Sequence, residues 1–287
     1  MRMTVKGKVA VLTGAASGIG AALAQLLAAR GAALALIDRD QDGLERVAAE
    51  ARLFGAVVST HVADLADPAA IAALPEAVAA AHAAPALLIN NAGVALVGRF
   101  DQMDAADFDW LMDINFWAGV RMTRAFMPAL RRAGVARIVF LSSVFGIIAP
   151  PGQCAYAASK FAIRGFAESL RHELADTSIG VTVVHPGGIR TNIARSARLA
   201  AGMNPEQADA GVRAFETMLK TTPEIAARTI LNGMERGAGR VLIGSDAYAI
   251  DALQRLMPVR YWRPMQRRLG KLGGLVKAPA EQPAEQN

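Results

Sequence analysis

Tyr156 and Lys160 stand four residues apart in the run YAASK, directly after the loop PPGQC. The chain has three tyrosines, and neither of the others has a lysine four residues on. A free phenol ionises near pH ~10, too high for a base at neutral pH. A neighbouring ammonium favours the phenolate. On a helix, residues four apart share a face, offset by roughly 6 Å along the axis. Lys160 can therefore lie near Tyr156 without blocking it. Lowering the phenol pKa by about three takes roughly 4 kcal/mol. The chemistry such a pair suits is proton transfer to or from a substrate oxygen. The bland alternative is a solvated surface pair.

A second pattern supplies a partner for that chemistry. Residues 13–20 read TGAASGIG, between an apolar run and a helical one. Gly14 permits a tight turn, Gly18 lets backbone amides approach a pyrophosphate, and Gly20 lets the helix pack closely on the sheet. Ser17 and Ile19 fall inside the turn, and the helix start favours phosphate charge. The strand–turn–helix context is what distinguishes dinucleotide binding from a structural glycine turn. Asp38 ends the second strand, placed to accept hydrogen bonds from an adenosine ribose and to repel a 2′-phosphate. That favours NAD(H). Arg39 beside it leaves NADP(H) open. An oxidised nicotinamide would add a second positive charge near Tyr156.

The elements that must position these groups alternate along the chain. KVAVLTG, residues 32–38, AVVSTHV, 86–90, 136–143, 180–186 and 239–244 read as strands. Helices are expected at Ile19 to Arg30, Asp40 to Phe54, from Pro68, Ala105 to Arg132 and 155–174. Proline is tolerated in a first helical turn, which suits Pro68. Apolar strands alternating with helices imply a parallel sheet covered on both faces. The expected fold is a single-domain, Rossmann-like α/β doubly wound parallel sheet of about seven strands. Its site lies at the strand C-terminal ends. The catalytic domain is expected over 1–245, a basic C-terminal extension over 246–275, and a disordered tail over 276–287.

Composition narrows the classes. The chain has 287 residues, 53% of them hydrophobic, enough for a sizeable core. Its single cysteine, Cys154, excludes an intrachain disulfide and points to a reducing, cytoplasmic compartment. The four histidines have no metal-ligand spacing, so no metal is expected. Residues 9–29 carry no charge after Arg2, Lys6 and Lys8, which resembles a targeting segment. The ordered glycines favour strand, turn and helix instead. The net charge of +6 sits in the C-terminal stretch from Ala252 to Ala280, which holds seven cations and no acid. The main body therefore gives no reason to invoke nucleic acid.

Together these residues resemble the short-chain dehydrogenase/reductase family over about residues 5–245. The resemblance rests on TGAASGIG, Asp64–Leu65, NNAG at 90–93, Asn115, the serines at 142–143, YAASK and PGGIRT at 186–191. It implies a catalytic tetrad of Asn115, Ser143, Tyr156 and Lys160. Ser143 is preferred to Ser142 because the family's serine usually lies thirteen residues before the tyrosine. It further implies that Asp64 and Leu65 flank the adenine, that Asn91, Ala92 and Gly93 lie along the cofactor, and that Thr191 holds the carboxamide. Pro186, Gly187 and Ile189 join the cofactor set. Tyr156 and Lys160 belong to both sets. Asn115 is expected to support a water linking Lys160 to solvent. Singly, Ser143 could be a strand-end hydroxyl and Asn115 a buried helix amide.

The implied activity is hydride transfer between NAD(P) and a hydrophobic secondary alcohol or ketone. The alternatives are an NADPH-dependent ketoacyl-type reductase or a non-catalytic NAD-binding sensor or scaffold. Val94, Ser143, Val144, Phe145, Cys154 and Gly187 are the expected pocket residues, with Cys154 as wall rather than nucleophile. Residues 192–222 are expected to form a substrate lid in which Arg195 and Arg198 are solvated. A homodimer or homotetramer is implied. In the extension, Pro258 and Pro264 are expected to interrupt any helix. Peripheral membrane contact through 252–277 is the less favoured reading beside packing on the body.

Overall fold

The computed structural model describes residues 2–203, 206, 212–213 and 216–269, with residues 267–269 described by backbone alone. The expected tail at 276–287, the last part of the expected extension at 270–275, and most of 204–215 in the expected lid lie outside the described residues. In chain order the elements are β1 Val9–Thr13, α1 Gly18–Ala29, β2 Ala33–Asp38, α2 Gln41–Arg52, β3 Val58–Val62, α3 Pro68–Ala79, β4 Leu87–Asn90 and β5 Leu96–Val97. They continue with α4 Ala105–Met112, α5 Ala118–Arg132, β6 Ala136–Leu141, α6 Cys154–Glu173, β7 Ile179–Pro186 and β8 Arg198–Leu199. After these come α7 Pro223–Arg236, β9 Arg240–Ile243, α8 Ser245–Leu256 and α9 Trp262–Leu269.

Seven strands form one parallel sheet in the order β3-β2-β1-β4-β6-β7-β9. The order reverses between β1 and β4, which opens a crevice at their C-terminal ends. Every residue of β1, β4 and β6 is buried, as a sheet covered on both faces requires. One face carries α1, α2 and α7, whose Leu23, Leu27, Leu44 and Ile230 are fully enclosed. The other carries α3, α5 and α6 around Met122, Phe126 and Ile163. Each such side chain contributes about 1.5–3 kcal/mol by leaving water. The uncharged run at 9–29 is β1, the glycine turn and α1.

Local chemistry sets the helix starts. Asp40 caps α2 by accepting from the Gly43 N–H at 3.1 Å. Asp67 caps α3 ahead of Pro68, and Thr222 caps α7 ahead of Pro223. The expected long helix from Ala105 to Arg132 is continuous but contains a π turn at Asp113–Trp117, between α4 and α5. The extra residue in that turn re-aims the side chains that follow.

Two features depart from expectation. β5 and β8 form a separate parallel pair joining the segment after NNAG to the lid region. Pro264 does not interrupt a helix: it lies in the first turn of α9, where a missing N–H costs nothing. Pro258 does fall in the α8–α9 connection. The described part of the extension packs on the body, with Met265 buried against Ile147 and Ile148. Among the described residues no helix is long and apolar enough to cross a membrane.

Candidate active site

The glycine turn is pinned from β4. Asn91 donates through Nδ2 to the Thr13 and Gly14 carbonyls, each at 2.9 Å. The Asn91 and Ala92 N–H groups donate to Thr13 Oγ1 at 3.0 and 3.1 Å. Gly14 and Gly18 both have positive φ, which favours glycine. A Cβ on Gly20 would fall 1.9 Å from the Gly14 carbonyl oxygen. Exposed Ser17 makes no capping hydrogen bond, and α1 has no acid in its first turn. The α1 N-terminus thus has the donor chemistry for an anion. A groove lined by Gly18, Ala22, Arg190, Thr191 and Pro223 opens beside it. The Gly18 backbone lies close to the Thr191 methyl.

Asp38 faces the same turn. Its carboxylate accepts from the Ala16 N–H at 3.0 Å and the Asp40 N–H at 3.1 Å. Arg39 is exposed next to it, and Arg46 donates to the Ala16 carbonyl at 3.2 Å. Asp64 is exposed and accepts from the Ala66 N–H at 2.9 Å. Leu65 and Ile189 are buried in the core, Ile19 packs against it, and Pro186 is buried at the end of β7. These residues fit a dinucleotide: an open helix start, a turn with no room for Cβ atoms, and an acid at the end of β2.

Lys160 is buried on α6, and Nζ donates to the Leu141 carbonyl at 3.2 Å. It lies 5.5 Å from the Tyr156 ring centroid. Burial pulls the ammonium down to about 8. Tyr156 hydrogen-bonds Ser143, which favours the phenolate, but enclosure outweighs this and pushes the phenol up to about 12. The net direction for the chain by itself is upward; the lowering was expected from Lys160 together with an oxidised nicotinamide, and the second of these charges belongs to the dinucleotide. The lysine's hydrogen bond goes to a backbone carbonyl, and the surrounding protein disfavours a phenolate.

Ser143 caps the short turn Val144–Gly146 by accepting from the Phe145 N–H at 3.1 Å. Ser142 is buried and donates to the Lys160 carbonyl at 2.8 Å, a bracing contact. The π turn buries Asn115. Its Oδ1 accepts from the Val94 N–H at 2.8 Å, and Nδ2 donates to the Val94 carbonyl at 3.0 Å and to Ser159 Oγ at 3.1 Å. Asn115 thus clamps the loop after NNAG. Gly93 separates its amide from Lys160, since a Cβ there would come 3.2 Å from both.

Apolar groups surround Tyr156. Phe145 meets it edge-on at 6.0 Å, and Val94, Met103, Phe108 and Trp110 pack in its cluster. Val144 is buried, while Cys154 is exposed at the start of α6 with Sγ 3.9 Å from Met103 Sδ. Gly187 faces Asp246 instead, whose carboxylate accepts from the Gly188 N–H at 2.7 Å. Arg195 and Arg198, in the segment expected to form a lid, are exposed as expected, and each also has a carboxylate partner. Arg195 bonds Glu216, and Arg198 donates to Asp107 at 2.6 Å while stacking 3.7 Å from the Trp110 ring. Thr13, Ser159, His185, Asp246 and Tyr261 support the site without having been singled out. Thr13 stood in the quoted glycine motif and Ser159 in YAASK; His185, Asp246 and Tyr261 carry no local signal, because their partners at the site lie elsewhere in the chain.

A parallel sheet with its order reversal at this crevice defines a dinucleotide-binding, Rossmann-type protein. Comparison with known proteins narrows that class. The short chain dehydrogenase model matches residues 8–202. "Putative oxidoreductase SadH" of Mycobacterium tuberculosis is 44% identical over 261 residues, covering 90% of this chain and 94% of its own. A Burkholderia phymatum short-chain dehydrogenase/reductase solved with NAD has a TM-score of 0.82 at 29% identity, covering 89% of this chain and 95% of its own. A Sphingobium yanoikuyae short-chain dehydrogenase solved with NADPH has a TM-score of 0.72 at 29% identity, covering 97% and 99%. The chain belongs to the short-chain dehydrogenase/reductase family of oxidoreductases.

Proposed function

We propose that the protein transfers a hydride between NAD(H) and a hydrophobic secondary alcohol or ketone. The observation that carries this is the Tyr156 hydroxyl bonded to Ser143, with Lys160 beneath it and apolar side chains around it. The turn from Gly14 to Gly20, with Ser17, Gly18 and Ile19, would hold the pyrophosphate. Asp38 would take the ribose, with Arg39 beside it, and Asp64 and Leu65 the adenine. Asn91 to Gly93, Pro186, Gly187, Ile189 and Thr191 would line the nicotinamide half. The dinucleotide, when bound, supplies the hydride acceptor or donor and, oxidised, a positive charge.

The roles of the chain's own groups follow. Ser143 orients the substrate oxygen by hydrogen bonding. Tyr156, neutral at pH 7, donates its proton to the developing alkoxide in ketone reduction. Lys160 steadies the resulting phenolate, and Asn115 holds the loop that carries Gly93 and Val94. Alcohol oxidation needs the phenol ionised first, so it is the harder direction near neutrality.

Relatives solved with NAD and with NADPH leave both cofactors within the family's reach. Asp38 at the end of β2 favours NAD(H). The test is a panel of apolar secondary alcohols and ketones with NADH and NADPH, read by absorbance. The expected result is ketone turnover with NADH preferred at least tenfold. A clear NADPH preference would sink the reading of Asp38, and dinucleotide binding without turnover of any panel member would favour a sensor.

A further inference from the structure

The C-terminal extension touches the site at two separate points. Asp246, near the start of α8, accepts from the Gly188 N–H at 2.7 Å. Two glycines make room for that carboxylate. A Cβ on Gly187 would lie 2.2 Å from it, and one on Gly244 would lie 2.3 Å from it. Gly244 also has φ +93, a backbone state that favours glycine. At the other point, Tyr261 accepts through its hydroxyl from the Ala149 N–H at 3.0 Å. Around that bond, Trp262, Met265, Leu253 and Ile250 pack on Ile147 and Ile148. Ile147 and Ile148 follow the turn that Ser143 caps, and Phe145 of that turn meets the Tyr156 ring. α8 is itself fixed to β9, because Asp251 accepts from Arg240 at 2.6 and 3.1 Å.

We infer that residues 244–265 form a clasp across the active site, with Asp246 and Tyr261 as positioning residues. Asp246 sets the Pro186–Gly188 turn on the cofactor side. Tyr261 sets the Ser143–Ala149 loop on the substrate side. Both points belong to one packed segment, so the two half-sites are held at a fixed separation. The inference rests on the proposed oxidoreductase reading for what the two half-sites bind.

The test separates the halves. In Asp246→Ala, NADH should bind about tenfold more weakly by fluorescence titration, and the Gly188 amide should exchange hydrogen faster. Asp246→Asn keeps an acceptor oxygen and should restore affinity to within about threefold. In Tyr261→Phe, NADH affinity should stay within about twofold of wild type. Its kcat/KM for a ketone should fall about tenfold, with faster exchange at the Ala149 amide. Variants that lower only the melting temperature, with wild-type affinity and kcat/KM, would overturn the clasp and leave a stability brace. Affinity and exchange need no turnover. An inert wild type would thus overturn the assigned reaction, while the clasp would stand or fall on Asp246→Ala and the Ala149 exchange.

Discussion

In the proposed reaction Tyr156 is the acid–base group, and its surroundings bear on which direction is easy. Desolvation of the hydroxyl raises the phenol of half-buried Tyr156 to about 12, so near neutrality the chain's own groups favour a proton donor over a base. Ketone reduction should therefore be nearly flat from pH 6 to 8, while alcohol oxidation should climb as pH rises toward the phenol's ionisation. An oxidation rate independent of pH from 7 to 10 would contradict this. Tyr156→Phe should lower kcat by about 10²–10⁴-fold, the usual worth of a positioned acid–base group, with NADH affinity within about twofold. Gly20 is constrained by space rather than chemistry. Gly20→Ala puts a Cβ against the Gly14 carbonyl, an overpacking that typically costs about 1–3 kcal/mol. A lower urea midpoint together with weaker NADH binding is expected, and unchanged values for both would count against the close-approach account. The Tyr156–Lys160 pair and the glycine turn were legible as candidates because their spacing is local. The direction of the Tyr156 shift was not, because it depends on what surrounds the ring.

Among the elements, the π turn and the β5–β8 pair decide how the segments around Tyr156 are tied together, which in the proposed function is the substrate side. The turn at Asp113–Trp117 rotates Asn115 inward, where it clamps both backbone groups of Val94. β5 begins two positions after Val94 and pairs with β8, in the segment expected to form a lid. Arg198 of β8 then bonds Asp107 and stacks on Trp110. A cation on an aromatic face with a carboxylate beside it is worth more than either contact exposed alone. Arg198→Ala should loosen this latch and raise the KM for a bulky apolar ketone about three- to tenfold, leaving NADH affinity unchanged. Steady-state kinetics with the two substrates varied in turn checks it; an unchanged KM would mean the latch plays no part in substrate capture. The strands and helices themselves were readable from apolar runs, glycines and capping residues. A two-residue strand and a π turn leave too short a trace for periodicity to register.

At the level of the whole molecule, buried histidines tie stability to pH. His185 on β7 is fully buried and donates through Nδ1 to the Ser143 carbonyl at 3.0 Å. Burial pulls it from 6.5 down to about 4. The unfolded chain therefore takes up a proton at a higher pH than the folded one does. The stabilisation is complete above about 6.5, drains away as pH falls toward 4, and is worth roughly 3 kcal/mol. His61 and His82, which share Ser59 as a hydrogen-bond partner, shift the same way through burial. The urea midpoint should drop markedly between pH 7 and 5, and His185→Gln should reduce the slope. A level midpoint across that range would show that His185 charges without cost.

The amino-acid sequence by itself determined the alternation of strands and helices, the glycine turn, the acid ending β2, and the candidate tetrad. The first three are written in neighbouring residues, through periodicity, φ preference and local spacing; of the tetrad only the Tyr156–Lys160 pair is, and Asn115 and Ser143 came from the family resemblance. The tertiary structure alone decided the strand order, the pairing of the lid with the segment after NNAG, the raised phenol, and the clasp made by Asp246 and Tyr261. Those depend on which groups distant in the chain come to share one small volume. Tyr261 lies 112 positions from Ala149, and nothing local to either predicts that one hydroxyl will accept the other's N–H.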